Sequence, residues 1–409
     1  MKKNMKIVAA LMAIGLVSPM AYATNGDEMM AVGSQSSALG GTGVSNYIGA
    51  ESAFANPAML GKSKGDEVVG GIALFMPKVT NTGIPGAAGV ETKSKADTFY
   101  IPDLSYSSRS SDSLSWGIAM AGIAGMGVDY SDGIQASHIK AKSALSIARV
   151  IPTIAYNTKD YGLGFSPVLQ YGSLAISYSN PNGGGPGVPV TVNGAESADT
   201  NTGYGYNLGG YFNVTPAFVV AVSYQSEIAM KYGTQISAAG AGFGLTGASA
   251  FGDDLNQPAE IKAGVAYTMS NITLTADYKS IAWSSAAGYK DFNWQNQNVY
   301  ALGAKYAGNG YWLGAGYNSA NDPIGELPAT TYKNQAINFF NNMFFPAIVT
   351  NSYTFGGGFD VSKAMTIEAA AVISPEVTKT VAVPAFGGSG TNTTTHSQST
   401  YMASLRYKF

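Results

Sequence analysis

The sequence predicts an all-β protein, a 14-stranded antiparallel transmembrane β-barrel that is plugged by a small N-terminal hatch. Three observations favour this fold class. Only 12% of the residues are charged, against about 25% in typical soluble proteins. No apolar run in the chain reaches the roughly 20 residues that a membrane-spanning helix needs. Alternating apolar and polar runs of about ten residues then recur to the C-terminus, as is typical of membrane-spanning strands.

The N-terminus has the pattern of a secretory signal peptide. Three lysines in the first six residues precede an apolar run over residues 7–17 and a small-residue cleavage site that ends at Ala23. We therefore expect residues 1–23 to be the signal peptide, residues 24–64 the hatch inside the barrel, and residues 65–409 the transmembrane barrel. The chain has no cysteine, so an exported form would use no disulfide.

Fourteen alternating runs follow the expected hatch. They are Glu67–Met76, Thr98–Ser107, Leu114–Val128, Ile139–Tyr156, Tyr161–Tyr178, Thr202–Asn213, Ala217–Lys231, Glu260–Met269, Ile272–Trp283, Val299–Ala307, Tyr311–Asn318, Ser352–Val361, Met365–Ser374 and Ser399–Phe409. The connections after even-numbered runs are tight, whereas those after odd-numbered runs are long loops. Short turns on one side and long loops on the other are typical of Gram-negative outer-membrane barrels, whose short turns are periplasmic. We therefore expect a multi-pass protein of the Gram-negative outer membrane, with both chain ends in the periplasm.

The two faces of the last run separate cleanly. Tyr401, Leu405 and Phe409 fall on one face, and Ser404 and Arg406 on the other, because successive side chains of a strand point to opposite sides. An apolar face with tyrosines at its edges is typical of contact with lipid, and a polar face is typical of the lumen.

The stretch from Thr24 to Leu60 is the segment that we expect to fill part of the lumen. It is rich in Gly, Ala and Ser, and a weakly hydrophobic segment of this size cannot fold alone. Fourteen strands enclose more space than side chains fill, so we expect the barrel to enclose this stretch. The inward positions carry few charges, which argues against a polar-solute porin of the outer membrane. That porin remains the alternative function.

Three lysines on neighbouring runs form a candidate headgroup site. Lys262, Lys279 and Lys305 belong to the eighth, ninth and tenth runs. They either form a basic spot for an anionic head group or belong to a solvated ladder of charges with Asp277. Both interpretations stay open.

Apolar side chains in two long loops form a candidate surface for capturing substrate. They are Phe243, Leu245, Phe251, Phe339, Phe340, Phe344 and Phe345. The spacing of the last four suits one face of a helix. The same residues could instead pack as a cap over the mouth of the barrel.

Several motifs of the chain resemble those of the FadL-type family of outer-membrane transporters for long-chain fatty acids and other hydrophobic compounds. They are Asn25-Gly26, the Gly/Ser-rich Gly33–Gly43, Ala50–Ala53, Asn56-Pro57-Ala58 before the first run, Ile101-Pro102-Asp103-Leu104-Ser105-Tyr106, and Trp116-Gly117. The resemblance implies uptake of long-chain fatty acids or other hydrophobic compounds, with lateral release into the outer membrane through an inward kink of the third strand. No segment resembles a box for an energy-coupling partner, so we expect the uptake to be passive.

The resemblance also implies roles for particular residues. Thr24, Asn25 and Gly26 would be the gating N-terminus. Asn56, Pro57 and Ala58 would anchor the hatch. The kink would fall within Met120–Met126, at Gly122, Ala124 and Gly125, where small residues interrupt the alternation and favour a bulge.

Other functions have little support in the sequence. His138 and His396 are far apart, both in expected loops, and no catalytic motif accompanies them, so we expect neither an enzyme nor a cofactor or metal. No basic patch suggests nucleic acid. The expected partners are a hydrophobic small molecule, outer-membrane lipid and lipopolysaccharide, and we expect a monomer. A second role as a phage or adhesin receptor stays open.

Overall fold

Fourteen long strands pair edge to edge and close into a barrel. The computed structural model describes residues 25–83, 89–131, 139–180, 190–192, 198–386 and 390–409. The strands are β1 Glu67–Thr82, β2 Phe99–Arg109, β3 Leu114–Asp129, β4 Lys140–Asn157, β5 Tyr161–Asn180, β6 Asp199–Thr215, β7 Phe218–Gln225, β8 Glu260–Met269, β9 Ile272–Ile281, β10 Gln297–Ala307, β11 Tyr311–Ala320, β12 Asn351–Asp360, β13 Met365–Ala382 and β14 Thr391–Lys408. All neighbouring pairs are antiparallel, and β14 pairs with β1 to close the barrel. The prediction of a 14-stranded antiparallel barrel is confirmed.

Short elements complete the described fold. Glu91–Lys93 pairs with the end of β1, and Val190–Val192 with the end of β5. The helices are α1 Ser34–Ala38, α2 Ser52–Ala55, α3 Gln235–Gly242 and α4 Tyr332–Phe344, and Pro57–Lys62, Gly247–Ser249, Tyr289–Phe292 and Pro384–Phe386 are 3-10 helices. Among the described residues, no helix is both long and apolar enough to span a bilayer.

The last two strands differ from their prediction. The sequence pattern predicts a loop over residues 375–398, but β13 continues to Ala382 and β14 begins at Thr391. His396 therefore lies in a strand, with its side chain buried. The first half of β14 is polar on both faces, so it lacks the apolar alternation by which a strand is recognised in sequence.

The outer face of the barrel carries the exposed large apolar side chains. Tyr204, Leu302 and Phe355 are 73%, 55% and 58% exposed, as expected of residues that contact lipid. The barrel interior holds residues 25–62, most of which are buried. The predicted bounds, residues 1–23 for the signal peptide and 24–64 for the hatch, stay predictions, and residues 1–24 lie outside the described residues.

Glycines in the barrel wall make room for this enclosed segment. A Cβ atom on Gly164 would overlap the backbone nitrogen of Ala58, and one on Gly316 would overlap the nitrogen of Gly40. Neither contact is possible for a real side chain, so the backbone of the segment can lie directly against the wall only where the wall has no side chain.

Candidate functional site

The wall of the barrel is interrupted between β2 and β3. These strands pair from Arg109 and Ser115 up to Asp103 and Ala121, and among the described residues no pairing between them continues above Ala121. The pairing of β3 with β4 shifts register between Gly122 and Ala124. All residues from 119 to 126 are buried, so the alternation between lipid and lumen is lost. The predicted kink residues Gly122, Ala124 and Gly125 all lie in this part of β3.

The N-terminal segment occupies the unpaired edge of β3. The backbone nitrogen of Met29 donates to the carbonyl of Ile123 at 2.8 Å, and the nitrogen of Gly125 donates to the carbonyl of Asp27 at 2.8 Å. Glu28 and Ala124 form the bridge between these two bonds. A short piece of the N-terminal segment thus replaces the strand that β3 lacks there.

Side chains from the long loops fasten the same segment. Gly26 lies against Trp283, where a Cβ would come within 2.6 Å of the indole ring. Asp27 accepts hydrogen bonds from Gln257 Nε2 at 2.9 Å and from the hydroxyl of Tyr289. Burial raises the pKa of Asp27 to about 6. Of the predicted gating residues, Asn25 is also buried, and Thr24 lies outside the described residues.

A layer of charges, in which the carboxylates are buried and the lysines half-buried, lies beside this segment. Lys279 is 3.3 Å from Glu28 and 3.6 Å from Glu260, and Lys262 is 3.2 Å from Glu260. Two of the three predicted headgroup lysines are therefore neighbours, and both are ion-paired. Lys305 is not part of this layer, because its ammonium donates to the side chain of Gln35 and lies over the ring of Trp312.

A small cavity adjoins the charged layer, and Arg149 is part of its lining. The cavity has a volume of about 90 Å³. Arg149 Nε donates to Gln170 Oε1 at 2.8 Å, and its Nη1 donates to Gln225 Oε1 at 2.6 Å. Its Nη2 is buried and has no hydrogen-bond partner in the part of the chain that the structure describes. Sequence reasoning missed this site, although an inward arginine in the middle of a strand was visible.

The predicted capture residues lie together as a buried roof. All seven are at most 8% exposed. The ring of Phe243 lies 5.6 Å from that of Phe339 and 6.1 Å from that of Phe344. As the spacing suggests, Phe339, Phe340 and Phe344 belong to a helix, α4. In this conformation the roof is closed, and these side chains offer no open apolar surface.

A pocket of about 10 Å³ lies beneath the roof, about the volume that one water molecule needs. Its lining consists of Met126, Leu174, Ile176, Ile236, Leu255, Tyr289, Phe292, Trp294, Asn341 and Phe345. The amide of Asn341 accepts from Trp294 Nε1 at 3.2 Å and donates to the carbonyl of Phe292 at 2.7 Å. Both ends of the amide are thus bonded within the roof. The lining carries no charged side chain.

The predicted hatch motif contacts the barrel wall at β5 and β6. Asn56 Oδ1 accepts from the nitrogen of Ala58 at 3.0 Å and so caps the 3-10 helix that Pro57 begins. Asn56 Nδ2 donates to the carbonyl of Val44 at 2.8 Å and to that of Gly210 at 3.3 Å. The amide therefore joins two parts of the N-terminal segment to β6.

Arg406 fastens the N-terminal segment near the seam that closes the barrel. Its Nη1 lies 2.6 Å from Glu67, and its Nη2 lies 3.0 Å from Glu368 and donates to the carbonyl of Ile48 at 3.0 Å. Glu51 lies 3.5 Å from the same Nη2. Burial, together with the neighbouring carboxylates, raises the pKa of Glu51 to about 8 although Arg406 opposes the shift.

Metal binding finds no support in this arrangement. Within the described ranges, no group of three or more His, Asp or Glu side chains could hold a metal ion. The ionisable groups named above form ion pairs or hydrogen bonds with other side chains of the protein.

The fold and the enclosed segment define a class, the plugged outer-membrane barrels that move solutes. The sequence pattern of the family described as outer membrane protein transport protein (OMPP1/FadL/TodX) matches residues 14–332. The chain belongs to this family of outer-membrane transport proteins, and the predicted resemblance is confirmed. None of the curated proteins matches the chain in sequence.

Solved structures of the same fold include two toluene transporters and a FadL homologue. Pseudomonas putida TodX is 18% identical, with a TM-score of 0.66 over 93% of this chain and 99% of its own. Ralstonia pickettii TbuX is 17% identical, with a TM-score of 0.65 over 93% and 99%. A Pseudomonas aeruginosa FadL homologue is 15% identical, with a TM-score of 0.70 over 94% and 100%. At these identities the likeness concerns the fold.

Proposed function

We propose that this protein is a passive uptake channel for hydrophobic compounds, which it releases sideways into the outer membrane through the gap between β2 and β3. One observation carries the proposal. A single apolar cluster joins the roof residues, such as Phe243 and Phe344, to Ile123, Ala124 and Met126 on the unpaired edge of β3. An apolar solute that enters beneath the roof would meet apolar side chains all the way to the gap.

The charged layer favours the sideways route over a route down the bore. Lys279, Glu28 and Glu260 are held together by ion pairs beside the apolar cluster, with Glu28 bridged to Ala124. Breaking a buried ion pair costs about 3–5 kcal/mol, whereas each methylene group of the cargo gains about 0.8 kcal/mol only where it stays buried among apolar groups. Cargo would therefore follow the apolar cluster to the gap and leave these ion pairs intact.

The N-terminal segment is suited to act as the gate. It holds the edge of β3 by two backbone hydrogen bonds. The nitrogen of Met29 donates one of them, and the carbonyl of Asp27 accepts the other. Each such bond contributes about 1 kcal/mol net. Cargo that enters beneath the roof must widen the small pocket there and would press on Tyr289, which bonds Asp27. Displacement of the segment would then open the gap.

The lining of the pocket favours a neutral cargo such as a monoaromatic hydrocarbon. It holds no charged group, and its one amide, Asn341, is already bonded at both ends. A buried polar group of the cargo without a partner would cost about 1–3 kcal/mol. Two relatives of the same fold are named as toluene transporters.

Long-chain fatty acids are the second candidate cargo, and one observation favours them. Arg149 Nη2 is buried without a partner in the described residues, beside the cavity of about 90 Å³. A carboxylate there would accept a charge-assisted hydrogen bond. Comparing labelled toluene with labelled oleate therefore decides between the two cargo classes.

A reversible disulfide tests lateral release. The chain has no cysteine, and the bridge between Glu28 and Ala124 is of the closer antiparallel kind, about 4.5 Å between Cα atoms. That spacing suits a disulfide. We expect the double variant Glu28→Cys/Ala124→Cys to lose toluene uptake by more than tenfold when oxidised, in cells without their own transporter, and to recover when reduced.

The controls separate gating from misfolding. Each single cysteine variant should take up toluene under both conditions, and deletion of residues 24–26 should change the rate. Uptake that survives in the oxidised double variant would refute gating at β3. A large, steady ion current through the unmodified protein in planar bilayers would instead favour the polar-solute porin.

A further inference from the structure

The barrel wall is much taller on one side than on the other. Strands β1, β4, β5, β13 and β14 have 16, 18, 20, 18 and 18 residues. Strands β7, β8 and β9 have 8, 10 and 10. Because a membrane strand needs only about ten residues, the tall strands extend beyond the hydrocarbon layer at the end with the long loops.

The outward face of the tall side changes character with height. On β14, Tyr401 and Leu405 are exposed apolar residues, whereas the outward positions above them are Ser399, Ser397, Thr395 and Thr393. On β1 the outward residues change from apolar to polar between Met76 and Lys78. Hydroxyl and ammonium groups on an outward face suit phosphates and sugars, not acyl chains.

Lysines cluster in this polar zone around the gap between β2 and β3. They are Lys78 on β1, Lys93 and Lys95 in the segment that follows β1, and Lys140 and Lys142 on β4. The nitrogen of Ser94 donates to the carbonyl of Val79, and that of Lys95 to the carbonyl of Asp129, both at 2.9 Å. The segment therefore crosses from β1 to β3 directly above the gap.

The gap itself opens at the level of the outer leaflet. Ala124 is ten residues along β3 from Leu114, the residue at the short-turn end. At about 3.3 Å per residue and a tilt of about 40°, this places Ala124 roughly 25 Å above that end. The lysines lie higher still, at the level expected for lipid head groups.

The charge of this rim differs from that of the opposite loops. Residues 77–98 and 129–142 contain five lysines and four acidic residues, a net charge of 5 − 4 = +1. In 226–259, 282–296 and 321–350, three lysines face six acidic residues, a net charge of 3 − 6 = −3. An anionic lipid would therefore be attracted to the side of the barrel that holds the gap.

We propose that Lys78, Lys95, Lys140 and Lys142 bind the phosphorylated disaccharide of lipid A, and so hold one lipopolysaccharide molecule over the gap. Lipopolysaccharide is the anionic lipid of the leaflet at which the gap opens, and its sugars suit the neighbouring Ser and Thr hydroxyls. Lys142 contacts Asp129 at 3.7 Å. Lys78 and Lys140 are exposed and have no ion pair within the part of the chain that the structure describes. The effect on cargo release rests on the proposed function, but the lipid binding does not.

The test measures lipid A binding to the purified full-length protein by native mass spectrometry, without cargo. The variant is Lys78→Ser/Lys140→Ser, and the control is Lys290→Ser/Lys333→Ser in the opposite loops. Each lysine near an anionic lipid contributes about fivefold in affinity, so the first variant should bind lipid A about 25-fold more weakly. The control should bind as the unmodified protein does.

Three outcomes would overturn the proposal: unchanged binding by the first variant, equal weakening in both variants, or equal binding of phosphatidylglycerol by the unmodified protein. Heat-dependent migration of the folded barrel in gels shows whether each variant is folded. Toluene uptake in cells is measured separately. Loss of lipid A binding with intact uptake would support the site, and unchanged binding with failed uptake would count only against the proposed function.

Discussion

Arg406 and Arg149 are both buried inside the barrel, each 4% exposed, yet they are bonded very differently. Arg406 faces carboxylates from β1 and β13 and a carbonyl of the N-terminal segment. Arg149 faces two glutamine amides, and its Nη2 lacks a partner among the described residues. A fully bonded buried charge fastens parts of a structure together, whereas one with an unused donor remains available to a ligand.

The largest expected effect is a loss of stability when Arg406 is replaced. Replacing Arg406 with Ala would leave Glu67 and Glu368 buried without a cation, which costs about 3–5 kcal/mol. We expect a lower urea midpoint for unfolding of the detergent-solubilised barrel. Arg406→Lys should lose less, because it keeps the charge but not the forked geometry. An unchanged midpoint for Arg406→Ala would contradict the fastening role.

A smaller effect is expected at Gly49, which packs against Arg406. Its φ is +114°, and a Cβ there would overlap Arg406 Nη1. Gly49→Ala would therefore combine backbone strain with a clash, and we expect about 1–3 kcal/mol of destabilisation in the same urea titration. Gly65→Ala is the matched control, since nothing lies within 4 Å of a Cβ at that position. Equal effects of the two changes would refute this packing.

The most selective effect, on transport, is expected at Arg149. Arg149→Met leaves Gln170 Oε1 and Gln225 Oε1 without their donor but keeps the Glu67 and Glu368 pairs of Arg406, so the urea midpoint should fall less than in Arg406→Ala. If a fatty-acid carboxylate binds Nη2, the lost charged hydrogen bond is worth about 1.5–3 kcal/mol. Oleate uptake should then fall roughly tenfold or more, while toluene uptake stays within about twofold. A parallel fall for both cargoes would show that Arg149 is a structural residue.

Most of the fold could be predicted because the membrane imposes a strict pattern. Outward residues must be apolar wherever lipid touches them, so runs such as Tyr311–Asn318 alternate visibly. The pattern is lost where that constraint ends. The half of β14 nearer the long loops carries Thr393, Thr395 and Ser397 outside and Asn392, Thr394 and His396 inside, and such a run cannot be told from a polar loop.

The site was less predictable than the fold. The small residues Gly122, Ala124 and Gly125 interrupt a local alternation, so the sequence alone predicts irregular pairing there. Nothing in the sequence indicates that Lys279 pairs with Glu28, or that Lys305 lies apart from Lys262 and Lys279. These contacts join residues far apart in the chain, and one sequence holds no record of which charges meet.

The sequence by itself determined that this chain is an even-stranded membrane barrel around an enclosed N-terminal segment, because alternation, turn length and low charge are local properties of each run. Only the tertiary structure decided which side chains meet inside the barrel. The bonding of Arg406 and Arg149, the closed aromatic roof and the strand-like contact between Glu28 and Ala124 all depend on distances between segments that the closed barrel brings together.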